Sequence, residues 1–202
     1  MAYPEPQYHK EETAKEYTRV YELNNTDKIL VKQQEDGKLG YTDVSSLKGY
    51  NRNYGQFYDT TSQSGSANTA YAIKLNGTSF ASGVSIVSGS RISVENTGTY
   101  NLQFSAQLDR VAGSGVKPIT VWLSITGSNV DNTSTIVIMS GGAAASATVA
   151  AWNYLVPLNA GEYCELMWST QDTNLQITAS GSMSNPTRPA IPSVIATMTQ
   201  VA

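Results

Sequence analysis

The sequence predicts an all-β protein whose main part is an antiparallel β-sandwich or jelly roll. Three observations lead to this prediction. Residues 51–202 are rich in Ser, Thr, Gly and Asn, with 21, 17, 13 and 12 of each, a mixture typical of strands and tight turns rather than helices. Apolar and polar residues alternate in short segments, and turn residues separate those segments. Roughly eight to ten short strands in one domain of this length are typical of sandwiches and jelly rolls.

Charge divides the chain near Gly49. Residues 1–50 hold 16 of the 29 charged side chains (13 Lys and Arg, 16 Asp and Glu), whereas the following 152 residues hold 13. This step predicts two parts, an N-terminal anchoring arm at 1–50 and a jelly-roll domain at 51–202.

The arm opens with an extended, helix-averse segment and continues with short elements. A short helix is one reading of EETAKEYTRVYEL, and a disordered tail over residues 1–25 is the alternative. KILVKQ, the turn residues Asp36 and Gly37, and KLGYTDV predict a small hairpin. Because two short elements cannot bury enough surface alone, we expect the arm to pack against the main domain, sister chains or a larger assembly, and we favour an anchoring role. The expected anchoring residues are Tyr3, Pro4, Pro6, Tyr8, Ile29 and Val31.

In the main domain, alternation is clearest from Tyr100 to Asp109, where apolar and polar residues take opposite faces. This pattern predicts a half-buried antiparallel strand. Similar patterns predict strands at Tyr71 to Leu75, Arg91 to Val94, Ile119 to Ile125, Thr135 to Met139, Val149 to Val156, Tyr163 to Trp168, Leu175 to Ala179 and Val194 to Val201.

The segment GGAAASATVAAW leaves helix and strand both open, since Ala is the best helix former. We favour a strand, because Gly141 and Gly142 precede the segment and Val149, Trp152 and Tyr154 are β-formers.

Composition and residue counts exclude several function classes. With a net charge of −3, a pI near 5.1 and no basic cluster, we expect no nucleic-acid partner. No segment has the roughly 18 apolar residues of a membrane span, and the N terminus has no apolar signal region, so we expect neither membrane insertion nor export by a signal peptide. The single histidine, His9, lies in the arm, which excludes a His-dependent catalyst in the main domain.

The acidic residues of the main domain form no recognisable catalytic pair, and we predict that the protein is not an enzyme and has no cofactor. Asp131 and Asp172 are candidates for a calcium site, but acidic turn residues are more often solvated caps, and we predict no metal. Cys164 alternates with Leu166 and Trp168, which indicates a small apolar core residue rather than a reactive thiol.

Three ordered motifs resemble the trimeric jelly rolls typified by the globular heads of complement and by tumour necrosis factor. They are Gly98-Thr99-Tyr100 with the strand that follows, the segment VWLSITGSNV, and the run from Leu158 to Leu166. The resemblance covers roughly residues 54–202. The Ser/Thr/Asn-rich composition of the domain also resembles that of such domains in tailed-bacteriophage virion proteins. The segment KILVKQQEDGKLGYTDVSSL resembles a leader of phage structural proteins. No collagen-like stalk precedes the domain, so a signalling role is not implied.

The resemblance implies a homotrimer, and aromatic residues in excess of one core agree with a second apolar surface. The residues expected in trimer or core packing are Tyr100, Leu102, Phe104, Trp122, Trp152, Tyr154, Leu166 and Trp168. Ordinary burial in one subunit is the alternative for each of them.

The implied function is that of a non-enzymatic bacteriophage virion structural protein on the particle surface. The expected role is a capsid decoration or head fibre, docked through residues 1–50 onto the major capsid protein or a tail protein. The alternative is an adhesin that binds host-surface glycan through distal loops; a glycan-cleaving spike is the least favoured. The candidate glycan contacts are Tyr54, Tyr58, Asn129, Asn132 and Asn174.

Overall fold

The computed structural model describes residues 27–32, 39–43, 52–141 and 146–202. The chain divides into two compact units, Met1–Asn51 and Arg52–Ala202, and each is described by itself. Among the described residues, no helix has the length and apolar character needed to cross a membrane.

The first unit contains an antiparallel pair of strands, β1 (Lys28–Lys32) and β2 (Leu39–Asp43). They lie in the two segments for which the sequence predicts hairpin strands, and residues 33–38 between them lie outside the described residues. Leu30 is directly opposite Tyr41, and both side chains are exposed. This places an aliphatic and an aromatic side chain on one face of a two-stranded element.

The second unit consists of antiparallel strands. In chain order they are β3 (Tyr54–Asp59), β4 (Gln63–Ser64), β5 (Tyr71–Ala72), β6 (Gly77–Ser82), β7 (Val84–Val87), β8 (Arg91–Val94), β9 (Gly98–Arg110), β10 (Gly115–Ile125), β11 (Ser128–Asn129), β12 (Thr135–Gly141), β13 (Ser146–Leu158), β14 (Tyr163–Thr170), β15 (Leu175–Ile177), β16 (Met183–Ser184), β17 (Thr187–Arg188) and β18 (Val194–Gln200).

These strands form two sheets and a small β16–β17 pair. The first sheet, which we call the β9 sheet, has the order β4-β15-β9-β18-β3-β6. β13 also pairs with β9, on the side opposite β18. The second, the β14 sheet, has the order β11-β10-β14-β8-β7, with β12 paired to β10 and β5 to β14. The chain passes repeatedly from one sheet to the other, which is the connectivity of a jelly roll. The predicted antiparallel jelly-roll sandwich is therefore confirmed.

The core lies between the inward faces of the two sheets. Tyr100, Leu102 and Phe104 of β9 are buried together with Leu166 and Trp168 of β14. The alternation that the sequence shows in these strands is thus the alternation between core and outer face. The same periodicity buries Cys164 completely, as predicted.

The Ala-rich segment is a strand over its described part, as we favoured from the sequence. All 13 residues of β13, Ser146 to Leu158, pair with β9. Local helix propensity is overridden here because a long neighbouring strand offers a complete ladder of backbone hydrogen bonds.

The glycan candidates Tyr54 and Tyr58 do not lie in a distal loop, and that expectation was wrong. Both lie on β3, in which buried Gly55, Phe57 and Asp59 alternate with more exposed side chains. The alternating residues include Gly, Gln and Asp, so hydrophobicity alone does not reveal the strand. Pairing with β18 and β6 on its two sides holds it in the sheet.

Tyr100 explains the Gly98-Thr99-Tyr100 motif. Its buried hydroxyl accepts a hydrogen bond from Asn53 Nδ2 (3.0 Å) and donates one to the Asn96 carbonyl (2.6 Å). Burial raises the pKa of this phenol. A Cβ on Gly98 would lie 2.5 Å from the carbonyl oxygen of Ala202. The motif therefore joins the start of β9 to both ends of the domain.

The turn after β13 explains the motif that runs from Leu158 to Leu166. Gly161 has a φ of +81°, a conformation that favours glycine. The carboxylate of Glu162 accepts a hydrogen bond from the Asn159 N–H (2.8 Å), and the Glu162 N–H donates to the Asn159 carbonyl (3.0 Å). The glycine and the acid of this motif are thus both used to close one tight turn.

Replacing Gly55 by Ala should destabilise the sandwich. A Cβ at Gly55 would lie 2.7 Å from Cε2 of Phe57, whose side chain is fully buried. Since the Phe57 ring has no free space to move into, we expect Gly55→Ala to lower the free energy of unfolding by about 1–3 kcal/mol. Urea unfolding measures this change. The control is Gly181→Ala, where nothing lies within 4 Å of the added Cβ. Equal stability of the two variants would contradict the prediction.

Candidate functional site

The flank formed by β12 and β13 carries several of the exposed aliphatic side chains of the second unit. Among the described strands, β12 pairs only with β10 and β13 only with β9, so each ends its sheet. Their outward faces, with that of the neighbouring β10, carry aliphatic side chains that are 53–66% exposed. Ile136 and Ile138 of β12 and Val116 of β10, on the outer face of the β14 sheet, form what we call the β12 patch. Val149 and Leu155 lie on the outer face of the β9 sheet with Ala151 and Asn153 between them on β13, and we call this row the β13 patch.

An aromatic cluster lies between the sheets next to this flank. The ring centroids of Phe104 and Trp152 are 4.7 Å apart in an edge-to-face arrangement, and Phe104 and Tyr154 are stacked at 6.4 Å. The Tyr154 hydroxyl donates to the Thr133 carbonyl at 2.9 Å, and burial raises the pKa of Tyr154. Because edge-to-face pairs favour one geometry, this cluster fixes the position of β13. Trp152 and Tyr154 therefore pack partly in the core of one subunit.

The other residues expected in packing divide between core and surface. Tyr100, Leu102, Leu166 and Trp168 are buried in the core. Trp122 lies on the outer face of the β14 sheet, opposite Met167, and is half-buried. Its indole N–H donates to Asn129 Oδ1 at 2.7 Å. That hydrogen bond holds the ring against its own sheet.

A groove of about 440 Å³ lies at the end of β3. Its lining residues come from three separate segments of the chain: Tyr58, Thr60, Ser62, residues 179–181 and residues 190–192. We call it the Tyr58 groove. Its volume is within the range of small-molecule binding sites.

The glycan candidates predicted from the sequence are distributed over several places. Tyr58 lines the groove, whereas Tyr54 lies at the opposite end of β3, next to Phe80. Asn129 belongs to β11 in the other sheet and accepts the hydrogen bond from Trp122. Asn132 lies in a turn with a φ of +62°. Asn174 donates to Asp172 from both its side chain and its backbone. The structure thus does not bring these residues together into one site.

Asp172 belongs to a structural clamp around Arg110. The Arg110 guanidinium is only 2% exposed; it pairs with Asp172 at 3.1 Å and donates to the carbonyls of Ala112, Ser114 and Gly115. The hydrogen bonds from Asn174, followed by the charge of Arg110, hold the pKa of Asp172 below its ordinary value. This carboxylate therefore organises the loop between β9 and β10.

No group of three or more His, Cys, Asp or Glu side chains in the described ranges is arranged to hold a metal ion.

A second polar cluster lies on the outer face of the β14 sheet. Glu165 accepts a hydrogen bond from the Ser90 hydroxyl (2.6 Å) and faces Arg91 at 3.7 Å. The Arg91 guanidinium also lies over the ring of Tyr163 at 4.5 Å. These contacts satisfy the charges of the cluster within the sheet.

The Cys164 thiol is not suited to nucleophilic chemistry. Burial raises its pKa to about 12, so the thiolate is scarce at neutral pH. Its place between Ile92 and Ile125 on the neighbouring strands is that of an apolar core residue.

The anchoring residues lie in the first unit. Ile29 is half-buried on β1, and the side chain of Val31 and residues Tyr3, Pro4, Pro6 and Tyr8 lie outside the described residues. Leu30 and Tyr41, which were not predicted as anchoring residues, have side chains that are 54% and 73% exposed. Only the register of the two strands shows that they share a face.

Comparisons with solved structures show similarity in fold. No family model matches the sequence, and no curated protein matches it. The structure is similar to the crystal structure of murine APRIL at pH 8.0, with a TM-score of 0.45 and 12% sequence identity. The match covers 75% of this chain and 100% of that chain. The similarity concerns the fold, and the phage resemblance stays a prediction.

Replacing Arg110 by Ala should destabilise the second unit more than removing an exposed arginine. Arg110→Ala leaves Asp172 without its ion pair and three carbonyls without a donor, and we expect a loss of about 2–4 kcal/mol in the free energy of unfolding. Arg91→Ala is the matched control, because the Arg91 side chain is 42% exposed and such pairs contribute about 1 kcal/mol or less. Chemical denaturation measures both. A smaller loss for Arg110→Ala than for Arg91→Ala would contradict the clamp.

Proposed function

We propose that this chain is a non-enzymatic trimeric structural protein on the surface of a bacteriophage particle. The observation that carries the proposal is the pair of exposed apolar patches on the β12–β13 flank. Patches of this kind on a soluble domain mark interaction surfaces. The phage assignment is supported by the Ser/Thr/Asn-rich style of the domain and by the leader-like segment at residues 28–47.

A threefold assembly explains why there are two patches and why they differ. In a closed ring of three, each subunit uses one surface for one neighbour and a different surface for the other. The β12 patch and the β13 patch lie on opposite outer faces of the sandwich, at the same flank. If that flank points to the threefold axis, the β12 patch of one copy packs against the β13 patch of the next. Each copy then covers apolar surface that it would otherwise expose to water.

The first unit supplies the docking function. Residues 1–50 attach the trimer to the major capsid protein or a tail protein, and Leu30 and Tyr41 offer an apolar contact on the paired strands. Three such arms on one trimer raise the effective concentration at the host surface, so weak contacts give stable attachment. We favour a capsid decoration or head fibre.

Introducing a carboxylate into either patch should break the trimer. We expect the full chain to have a solution mass of about 65 kDa, three times 21.7 kDa. Ile136→Glu and Val149→Glu each place an unpaired charge in the proposed interface, which costs several kcal/mol. Both should yield folded monomers by light scattering, with unchanged circular dichroism.

Val87→Glu is the control for those variants, since Val87 is an exposed aliphatic residue on β7 at the opposite edge of the β14 sheet. It should leave the trimer intact. The proposed assembly would be contradicted if the wild-type protein is a monomer, or if both patch variants still form trimers.

Deleting residues 2–25 should abolish incorporation into particles, because it removes Tyr3, Pro4, Pro6 and Tyr8 from the docking arm. Occupancy on purified particles can be counted by electron microscopy after complementation with tagged protein. The deleted protein should still be trimeric in solution, since both patches lie in the second unit. Full occupancy by the deleted protein would show that these residues do not dock it.

A further inference from the structure

The walls of the Tyr58 groove are held in place by hydrogen bonds. Ser180 and Ile191 face each other and exchange backbone hydrogen bonds of 2.9 and 2.8 Å. The Ala179 N–H donates to Ser62 Oγ at 3.0 Å, which ties this wall to the segment after β3. Arg188 donates from its guanidinium to the Gly181 carbonyl at 3.0 Å and to Ser180 Oγ at 3.2 Å. A ligand would therefore meet walls that are already ordered, which lowers the entropic cost of binding.

The groove offers apolar surface beside hydroxyl groups. The apolar lining residues are Ala190, Ile191 and Pro192 together with the aromatic Tyr58, and Ser62 and Ser180 are among the hydroxyl-bearing ones. Each of these two hydroxyl oxygens accepts one hydrogen bond, from Ala179 and Arg188 respectively. Their own protons have no acceptor among the described residues, so both can donate to a ligand.

The lack of charged lining residues also affects which ligands the groove can bind. No Asp, Glu, Lys or Arg is among the lining residues, and the Arg188 guanidinium beside the groove donates to the carbonyls of Gly181 and Pro189 and to Ser180 Oγ. No lining side chain carries a charge that would neutralise a bound carboxylate or phosphate, and the Arg188 guanidinium is occupied by these three acceptors. An uncharged ligand is favoured for this reason, since burying an unpaired charge is costly.

We propose that the Tyr58 groove binds a neutral pyranose unit of a saccharide. A pyranose has an apolar face of C–H groups and a rim of hydroxyls, which matches an aromatic ring beside two free hydroxyl donors. Tyr58 stacks on the C–H face, and Ser62 and Ser180 donate to ring hydroxyl oxygens. This goes beyond the structural role proposed above, because it assigns a ligand site to a part of the domain outside both patches.

The site stays accessible in the proposed trimer. Tyr58 lies on β3, and β9 and β18 separate that strand from β13. At the usual spacing of strands the groove is roughly 14 Å from the β13 patch across the sheet. Binding and assembly can therefore be tested separately on the same protein.

The test uses the full chain and saturation-transfer difference NMR. The probes are methyl α-D-glucopyranoside, methyl α-D-mannopyranoside and methyl β-D-galactopyranoside. We expect ring-proton saturation for at least one of them, with a millimolar Kd. Tyr58→Ala should weaken that binding about tenfold or more, because it removes the stacking surface. Tyr54→Ala is the matched control, being a tyrosine on the same strand and sheet face but outside the groove; it should change the Kd less than twofold.

Two further measurements keep the proposal falsifiable if Tyr58→Ala fails to fold. Ser180→Ala alters an exposed residue and should weaken binding about three- to tenfold through the loss of one hydrogen bond. With n-octyl β-D-glucopyranoside below its micelle concentration, saturation should appear on the sugar ring protons. Saturation of the alkyl protons alone would make the groove an acyl site and overturn the proposal. Absence of saturation with all three methyl glycosides would also overturn it, as would binding that both groove variants leave unchanged.

Discussion

The packing of β9 against β14 is the contact on which the rest of the structure depends. Tyr100, Leu102 and Phe104 face the core from one sheet, and Leu166 and Trp168 face it from the other. β9 has neighbours on both sides, as has β14. Both strands are therefore fixed by two backbone ladders and by one buried face. The other strands of these two sheets pair with β9 or β14 directly or through one neighbour, except β6, which is linked to β9 through β3 and β18.

This arrangement has a consequence at the edges. The chain adds β12 to one sheet and β13 to the other on the same flank, and strict alternation then directs every second side chain outward. Ile136, Ile138, Val149 and Leu155 are the outward residues there, and they are aliphatic where solvent would favour polar side chains. The opposite end of the β9 sheet is different, because β6 there carries Thr78, Ser79 and Ser82 besides Phe80. The proposed assembly through one flank would leave the far end of the sheet, with the Tyr58 groove, free for a ligand.

The sequence predicted the parts of the fold that depend on local periodicity. β9 and β14 were recognisable because apolar residues alternate over many positions, and the Ala-rich segment because β-formers close it. β6 was not predicted, since all but the first of its residues are exposed and no apolar face marks it. The groove could not be predicted at all: its walls come from residues 58–62, 179–181 and 190–192, which only the strand order brings together. Asn129 and Asn174 were plausible glycan contacts as single residues, but their side chains hydrogen-bond within the domain.

The central claim is that identical copies cover the β12–β13 flank, and amide hydrogen exchange across a dilution series tests it most directly. The amides of β9 lie inside a sheet and should exchange slowly at every concentration. Those of β12 and β13 should exchange slowly in concentrated protein and faster as dilution separates the copies. If β12 and β13 exchange rapidly at all concentrations while β9 stays protected, the flank faces solvent and the account is wrong.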